Sequence, residues 1–334
     1  MNSATSVNGP QAARPAGPAD PFGWIAEQDR TRRASGLRRE LRPRAAESEL
    51  LDLAGNDYLG LTRHPEVTRA GADACLRWGA GATGSRLVTG STALHAELEA
   101  ALADFTGFEA ALVFASGYAA NLAAVTALTG PGTLLVSDAA NHASLIDGCR
   151  LSRATTEVVR HADPDAVRKA LDGHRGAAVV VSDTVFSVDG DAAPLAALAD
   201  ACREHGAALL MDDAHGLGVL GEEGRGAANA AGLAGAPDVV CTATLSKALG
   251  AAGGCGARSG GRHRASGQRG PHLHLRHRPG PGGGRRRARS AAAAAPRTVA
   301  RGEVTGGRPR LPPAADRGRP GRGRARRLRG VGAR

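Results

Sequence analysis

Two short polar segments carry residue types suited to carbonyl chemistry. Met211-Asp212-Asp213-Ala214-His215-Gly216 ends one apolar run, and Thr244-Leu245-Ser246-Lys247-Ala248-Leu249-Gly250 closes the next, which passes through Val239-Val240. An acid, an imidazole, a hydroxyl and an amine then stand at one edge of a parallel sheet, where ligands of open α/β sheets bind. A lysine held there can form a Schiff base with an aldehyde cofactor, and an aspartate can pair with a pyridinium nitrogen. Lys247 is one of only two lysines in the chain, the other being Lys169. The competing reading is a solvated loop lysine after a core strand; the motifs below weigh against it.

Repeated β–α units must position these groups. Leu94, Leu98, Leu102 and Phe105 line one face of a predicted helix with Ser91-Thr92 as caps. Ala110–Ala115 reads as a buried strand, followed by Ser116-Gly117-Tyr118 and a helix to about Leu128. Further strands are predicted at Thr133–Ser137, Glu157–Arg160, Ala177–Ser182, Ala208–Met211 and Asp238–Thr242, with helices near Ala143–Leu151, Pro164–Leu171 and Pro194–Glu204. Short apolar strands alternating with amphipathic helices imply an α/β fold, its mostly parallel sheet covered on both faces.

Gly79-Ala80-Gly81-Ala82-Thr83-Gly84 matches GxGxxG, but the segment before it, Glu66–Trp78, reads as helix. A dinucleotide fingerprint needs a strand there, so the loop is expected to serve close backbone approach instead. Ser116-Gly117-Tyr118 ends a strand and opens a helix, which suits a phosphate. Asn141-His142-Ala143-Ser144 and Asp183-Thr184-Val185-Phe186-Ser187-Val188-Asp189-Gly190 follow other strands, and Gly55-Asn56-Asp57-Tyr58-Leu59-Gly60-Leu61 precedes the first helix. A single histidine in such a loop is more often structural than catalytic; several polar loops on one sheet edge reverse those odds.

Composition narrows the class. The 334 residues are 42% hydrophobic and suffice for a large core and more than one domain. Cys75, Cys149, Cys202, Cys241 and Cys255 form no CxxC pair or metal-spaced cluster, which points to a reducing compartment and to no metal site. The first twenty residues lack an apolar signal region and no stretch is long enough to span a bilayer, so a cytoplasmic protein is expected. The net charge of +11 is split: residues 1–254 hold 21 Lys+Arg and 30 Asp+Glu, whereas residues 255–334 hold 22 arginines and only Glu303 and Asp316 as acids.

Asn56-Asp57-Tyr58-Leu59-Gly60, Thr83-Gly84-Ser85-Arg86-Leu87-Val88-Thr89-Gly90, Asn141-His142-Ala143-Ser144, Phe186-Ser187-Val188-Asp189-Gly190, Asp212-Asp213-Ala214-His215-Gly216 and Thr244-Leu245-Ser246-Lys247 occur in the order seen in the α-oxoamine synthases. Residues 24–254 thus resemble this family of fold-type-I pyridoxal-phosphate enzymes. The Thr83–Gly90 loop resembles the members of biotin biosynthesis more than aminoketobutyrate ligase, aminolevulinate synthase or serine palmitoyltransferase. The resemblance implies pyridoxal 5'-phosphate, with Lys247 as its Schiff-base lysine and proton-transfer base, and Asp212 on the pyridine nitrogen. It implies His215 on the ring hydroxyl, His142 on the ring face, and contacts from Gly117, Tyr118, Ser187 and Thr244. Arg38, in Gly36-Leu37-Arg38, matches the family's acyl-substrate arginine. The implied reaction is decarboxylative condensation of L-alanine with a pimeloyl thioester, in a homodimer, with neither nucleic acid nor membrane as partner. The alternatives are a glycine-using aminoketobutyrate ligase and a basic-tailed nucleic-acid-binding protein.

The resemblance also implies a domain plan: a tail over residues 1–20, an N-terminal segment over 21–65, a cofactor-binding large domain over 66–254, and no small C-terminal domain. In the family, an apolar antiparallel strand inside the sheet follows Gly253-Gly254, and the small domain supplies an arginine for the amino-acid carboxylate. Here Cys255-Gly256-Ala257-Arg258-Ser259-Gly260 follows. With suitable synonymous codons, the same nucleotides read one position later encode Ala-Val-Leu-Gly-Pro. The same offset turns His272–Gly280 into Thr-Phe-Ile-Phe-Asp-Thr-Gly-Leu, also a family segment. Residues from about 255 are therefore expected to be an out-of-frame, disordered tail. Its glycines and Arg258 are expected to fail as a central strand, leaving the chain partly unfolded and inactive. A genuine Arg/Gly-rich arm is the rival, but it has no Phe, Tyr or Trp for base stacking.

Overall fold

The computed structural model describes residues 20–260. The tail expected over residues 1–20 lies, apart from Asp20, outside the described residues, as does everything beyond Gly260. The chain divides after Ala54 into two units. In the first, α1 (Gly23–Ala34) ends in Arg32 and Arg33, where positive charge suits the helix dipole. Arg38 follows it and pairs with Glu40 at 2.9 Å and Asp29 at 3.6 Å.

The second unit begins with α2 (Pro65–Trp78), capped by His64 and opened by Pro65, and α3 (Ala93–Thr106), whose Thr92 and His95 form a capping box. A run of β–α units follows: β1 (Ala110–Phe114), α4 (Gly117–Leu128), β2 (Leu134–Asp138), α5 (Ala143–Leu151), β3 (Thr155–Val159) and α6 (Pro164–Leu171). Then come β4 (Ala178–Asp183), α7 (Leu195–Glu204), β5 (Ala208–Asp212), α8 (Ala227–Ala230), β6 (Val239–Thr244) and β7 (Gly254–Arg258). The seven strands form one sheet in the order β1-β7-β6-β5-β4-β2-β3. Only β7 runs antiparallel to its neighbours.

Alternation along the strands feeds two apolar layers. Val136, Val180, Leu209 and Met211 face the helices α3, α6 and α7, whereas Leu135, Val181 and Leu210 face α4 and α5. Leu135, Val181 and Leu210 are wholly buried, each worth about 1.5–3 kcal/mol relative to exposure. The expected covering of both faces is thus observed, and the expected strands and helices are present with ends moved by at most two residues. The glycine-rich loop follows α2, as its sequence context required, and Gly84 and Gly90 come so close that a Cβ on Gly90 would lie 2.0 Å from the Gly84 carbonyl oxygen. Arg86 from this loop pairs with Glu99 at 2.8 Å, and the pair takes the outward C=O and N–H of Val113. That closes part of the free edge of β1.

The expected end of the ordered domain at Gly254 is corrected. Gly254–Arg258 fills the central slot between β1 and β6, pairing Cys255 with Val113 and Ala243, and Ala257 with Ala111 and Cys241. Cys255 and Ala257 are buried in the core, and burial pushes the Cys255 thiol up to about 12. Arg258 escapes the expected burial penalty because it falls on the last residue of the strand. It is half-exposed there, with its guanidinium on the Gly260 carbonyl at 3.4 Å. The glycine objection holds at one position. Gly256 leaves a mainly apolar gap lined by Leu112, Phe114, Ala124, Leu128, Val240 and Arg258.

A Cβ added at Gly256 would meet Phe114 and Thr242 at 3.6 and 3.9 Å, which is ordinary contact. Gly256→Ala should therefore raise the thermal midpoint, by the ~0.5–1 kcal/mol that a strand glycine costs. Gly256→Val should raise it further, at about 0.8 kcal/mol per buried methylene group. Melting curves in which either variant unfolds earlier would show that the gap is not open to a side chain.

Candidate active site

Strand register aligns the polar groups. Asp183 at the end of β4 pairs with Asp212 at the end of β5, and Asp212 with Thr242 of β6. With period-two alternation, all three side chains leave the sheet on the face covered by α4 and α5. Asn121 comes from α4 to meet them. Its Nδ2 donates to Asp212 Oδ2 at 2.6 Å and to Ser144 Oγ at 2.8 Å, while Thr242 donates its hydroxyl to Asn121 Oδ1. The other Asp212 oxygen accepts the Ala214 N–H at 2.9 Å. Asp212 is thus buried among neutral donors, and burial pushes its carboxyl above the ordinary range.

Lys247 and His215 meet across the exits of β6 and β5, Nζ lying 2.6 Å from His215 Nε2. Tyr58 Oη stands 2.6 Å from His215 Nδ1. Burial, followed by the Lys247 and His142 charges, pushes the imidazole down to about 4, and burial lowers the Lys247 ammonium as well. At neutral pH this imidazole is a hydrogen-bond acceptor for the amine. Desolvation also favours the neutral, nucleophilic amine.

Two helix starts point at the same edge. Ser116 caps α4, its hydroxyl accepting the Ala119 N–H at 3.1 Å. The Gly117 backbone lies so close to β6 that a Cβ there would be 3.0 Å from Thr244 Cβ. Thr244 Oγ1 is 2.7 Å from Ser246 Oγ and donates to the Gly253 carbonyl at 3.1 Å. His142 caps α5. Its ring Nδ1 is 2.7 Å from Ser144 Oγ, and its backbone N–H donates to Asp183 Oδ2 at 2.6 Å. Tyr118 donates its phenol O–H to Asp147 and is about half exposed. Ser187 sits exposed in the turn after Phe186, on the loop that leaves β4.

Lys247, His215, Asp212, Thr244, Gly117 and His142 therefore gather at the carboxyl edge of the sheet. Arg38 belongs to the first unit, in the ion pairs described above. Three participants were not singled out from the sequence: Asn121, Tyr58 and Asp183. Asn121 had a signal, a lone amide inside the otherwise small and apolar helix GYAANLAAVTAL. Tyr58 and Asp183 lie inside quoted motifs, but their partners depend on register and loop path.

This donor set fits the pyridoxal phosphate that the resemblance implies. A buried carboxylate with no ion-pair partner among the described residues suits a protonated ring nitrogen, and the N–H groups that open α4 suit a phosphate. A half-buried lysine with a lowered pKa suits an aldehyde. Residues 48–263 match the family model for aminotransferase class I and II. The chain belongs to this family. It is 61% identical over 237 residues to 8-amino-7-oxononanoate synthase of Mycolicibacterium gilvum (strain PYR-GCK), covering 70% of this chain and 62% of that one. Against the enzyme of that name from Mycobacterium leprae (strain Br4923), identity is 60% over 235 residues, with 70% and 61% covered. The chain thus spans about 62% of the length of these curated relatives.

Among solved structures, Sphingomonas wittichii serine palmitoyltransferase is 34% identical with a TM-score of 0.62, covering 72% of this chain and 64% of that one. The 8-amino-7-oxononanoate synthase from Francisella tularensis is 28% identical with a TM-score of 0.55, covering 63% and 58%. Family membership agrees with the fold-type-I large domain expected from the motifs.

The carboxyl cluster makes stability depend on pH. Burial pushes both Asp183 and Asp213 up to about 7, against ~3.9 for an unfolded aspartate. Between those values the folded chain keeps protons that the unfolded chain has released. Stability of the cofactor-free chain should therefore fall as pH rises from about 4 to about 7. Asp183→Asn, which can still accept the His142 N–H, should flatten that slope in urea titrations. An unchanged slope would exclude Asp183 as its source.

Proposed function

We propose that this chain encodes the cofactor-binding part of an 8-amino-7-oxononanoate synthase. The reaction is L-alanine plus a pimeloyl thioester giving 8-amino-7-oxononanoate, carbon dioxide and free thiol. The observation that carries the reading is Lys247, 2.6 Å from His215 on the sheet edge that holds buried Asp212, in a chain about 60% identical to synthases of that name. Bound pyridoxal phosphate supplies an aldehyde for amines and a protonated ring that withdraws electrons from the amino acid's α-carbon.

The chain's own residues hold and move protons around it. Asp212, oriented by Asn121 and the Ala214 N–H, keeps the ring nitrogen protonated. Introducing that cation lets Asp212 ionise, so each stabilises the other. Lys247 would supply the amine that holds the aldehyde and the base for the α-proton of alanine. His215, neutral at pH 7, holds the ring hydroxyl and keeps Lys247 in reach. The N–H groups of Gly117 and Tyr118 with Thr244 receive the phosphate, and His142 and Ser187 complete the polar walls. Arg38 carries the distal carboxylate of the acyl group. A second copy completes a homodimer; exposed Leu76, Trp78, Leu87 and Val88 on α2 and the following loop are the side chains for it to cover.

We further infer that residues from about 255 are translated out of frame and that the 334-residue chain does not turn over; the 22 arginines without a lysine in residues 255–334, and the two segments that become family-like at one offset, support this. Resequencing codons 250–258 tests this. A one-nucleotide correction should restore product formation, whereas turnover by the chain as written would refute it.

Incubation with pyridoxal phosphate and borohydride should fix label on Lys247. Label on Lys169, or on neither lysine, would defeat the cofactor assignment. The frame-corrected enzyme should use alanine with pimeloyl-CoA far faster than glycine with acetyl-CoA, and Arg38→Ala should raise KM for the thioester more than for alanine. The opposite substrate preference would make it an aminoketobutyrate ligase.

A further inference from the structure

One imidazole with no part in that chemistry stands where the exits of β2, β3 and β4 meet. His161 follows β3 and places Nδ1 2.9 Å from Asp138 Oδ1 and Nε2 2.8 Å from Asp191 Oδ2. Both acceptors are carboxylates, and a neutral imidazole has a single N–H. Both contacts are satisfied together only by the imidazolium. Asp138 is buried at the end of β2, where the N–H groups of Ala140 and Ala162 donate to its two oxygens at 2.8 and 2.7 Å. Asp191 offers Oδ2 to the ring while its Oδ1 is buried with no hydrogen-bond partner. The Asp191 side chain is otherwise 40% exposed, and among the described residues His161 is the basic group that pairs with it.

The two acids belong to different site loops. Asp138 starts the turn that carries His142, its carbonyl accepting the Asn141 N–H. Asp191 ends the loop that carries Ser187, closed by Phe186 N–H on the Asp191 carbonyl and Gly190 N–H on the Phe186 carbonyl, both at 2.9 Å. The buried Phe186 ring meets His161 edge-on, with centroids 4.3 Å apart. His161 therefore touches both ends of the Ser187 loop and the base of the His142 turn.

We propose that His161, as an imidazolium, is a positioning residue that locks the His142 turn and the Ser187 loop to each other. The groups facing it are Asp138 from β2 and Asp191 from the β4–α7 loop. On its own segment Arg160 pairs with Asp163 at 2.6 Å, and Phe186 adds no charge. The Asp138 contact, then the Asp191 contact, holds the imidazole above its usual value of 6.5. The lock is therefore complete below that value and is lost as pH rises through the raised one. Its effect on cofactor binding rests on the reading under Proposed function; the lock itself does not.

Amide hydrogen exchange on the full cofactor-free chain tests the lock directly. After correction for intrinsic rates, protection over residues 138–142 and 186–191 should be about tenfold higher at pH ~6 than at pH ~8.5. His161→Gln should be weakly protected at both. If that variant does not fold, the wild-type pH comparison decides alone, and equal protection at both pH values overturns the proposal. Where the wild-type chain binds pyridoxal phosphate, His161→Gln should weaken that binding several-fold and remove its pH dependence over the same range. Unchanged affinity with an unchanged pH profile overturns the positioning role. A wild-type chain that shows the exchange pattern but takes up no pyridoxal phosphate retains the lock and loses the cofactor assignment.

Discussion

A buried carboxylate that makes no ion pair among the described residues governs this site. Asp212 is held among Asn121, the Ala214 N–H and apolar strand residues, and an unpaired buried charge costs several kcal/mol. Without a ligand, Asp212 answers that cost by favouring its protonated form. Asp183, in register beside it, does the same. Lys247 offsets both only partly, because its own ammonium is penalised by burial. A protonated heterocycle seated against Asp212 would relieve the carboxylate and gain from it. The sheet edge thus stores a preference for a cationic ring before any ring arrives.

The supporting structure makes that edge rigid. Parallel register sets Asp183, Asp212 and Thr242 side by side, and a ladder with buried side chains on both faces cannot slip by one residue without inverting them. Asn141 ties adjacent exits together, taking the Asp183 N–H on its side-chain carbonyl and donating to Val181 and Ser137. Asp213, one residue beyond Asp212 and on the opposite face, accepts from Thr184 and the Ala227 N–H. The loop that carries His215 is therefore anchored immediately before the imidazole. His161 does for the β2 and β4 exits what Asp213 does for β5, through charge rather than through neutral donors.

Much of this was legible in the sequence, because apolar runs ending in polar residues mark both strands and the edge where they stop. That Lys247, Asp212 and His215 would stand at one sheet edge could be read from types and order. Asn121 could not be assigned a partner: its target lies 91 residues away, and only the packing of α4 on the sheet brings them together. Asp183 was seen as part of a loop, whereas its importance comes from ending β4 in register with Asp212. His161 followed a correctly expected strand, but its two carboxylates arrive from segments 23 residues before it and 30 after it. Such groups are set by tertiary geometry and leave no local period.

The occupied β7 slot corrects an argument made from composition. Glycine and arginine argue against a central strand when each is assumed to sit at the strand's middle, on a fully buried face. Position decides the matter here. Between β1 and β6 two ladders wait to be paired, and satisfying their backbone groups is the dominant requirement. The core side needs small apolar residues, which Cys255 and Ala257 provide, and Arg258 comes last, where the guanidinium turns out to the Gly260 carbonyl. Only the α4 side is underfilled, at Gly256. A segment can therefore complete the sheet that positions Lys247 without having the side chains of a well-packed strand. Completing the sheet is also separate from completing the catalyst. The strand holds the carboxyl edge together, but it supplies no group to bind the carboxylate of an amino acid.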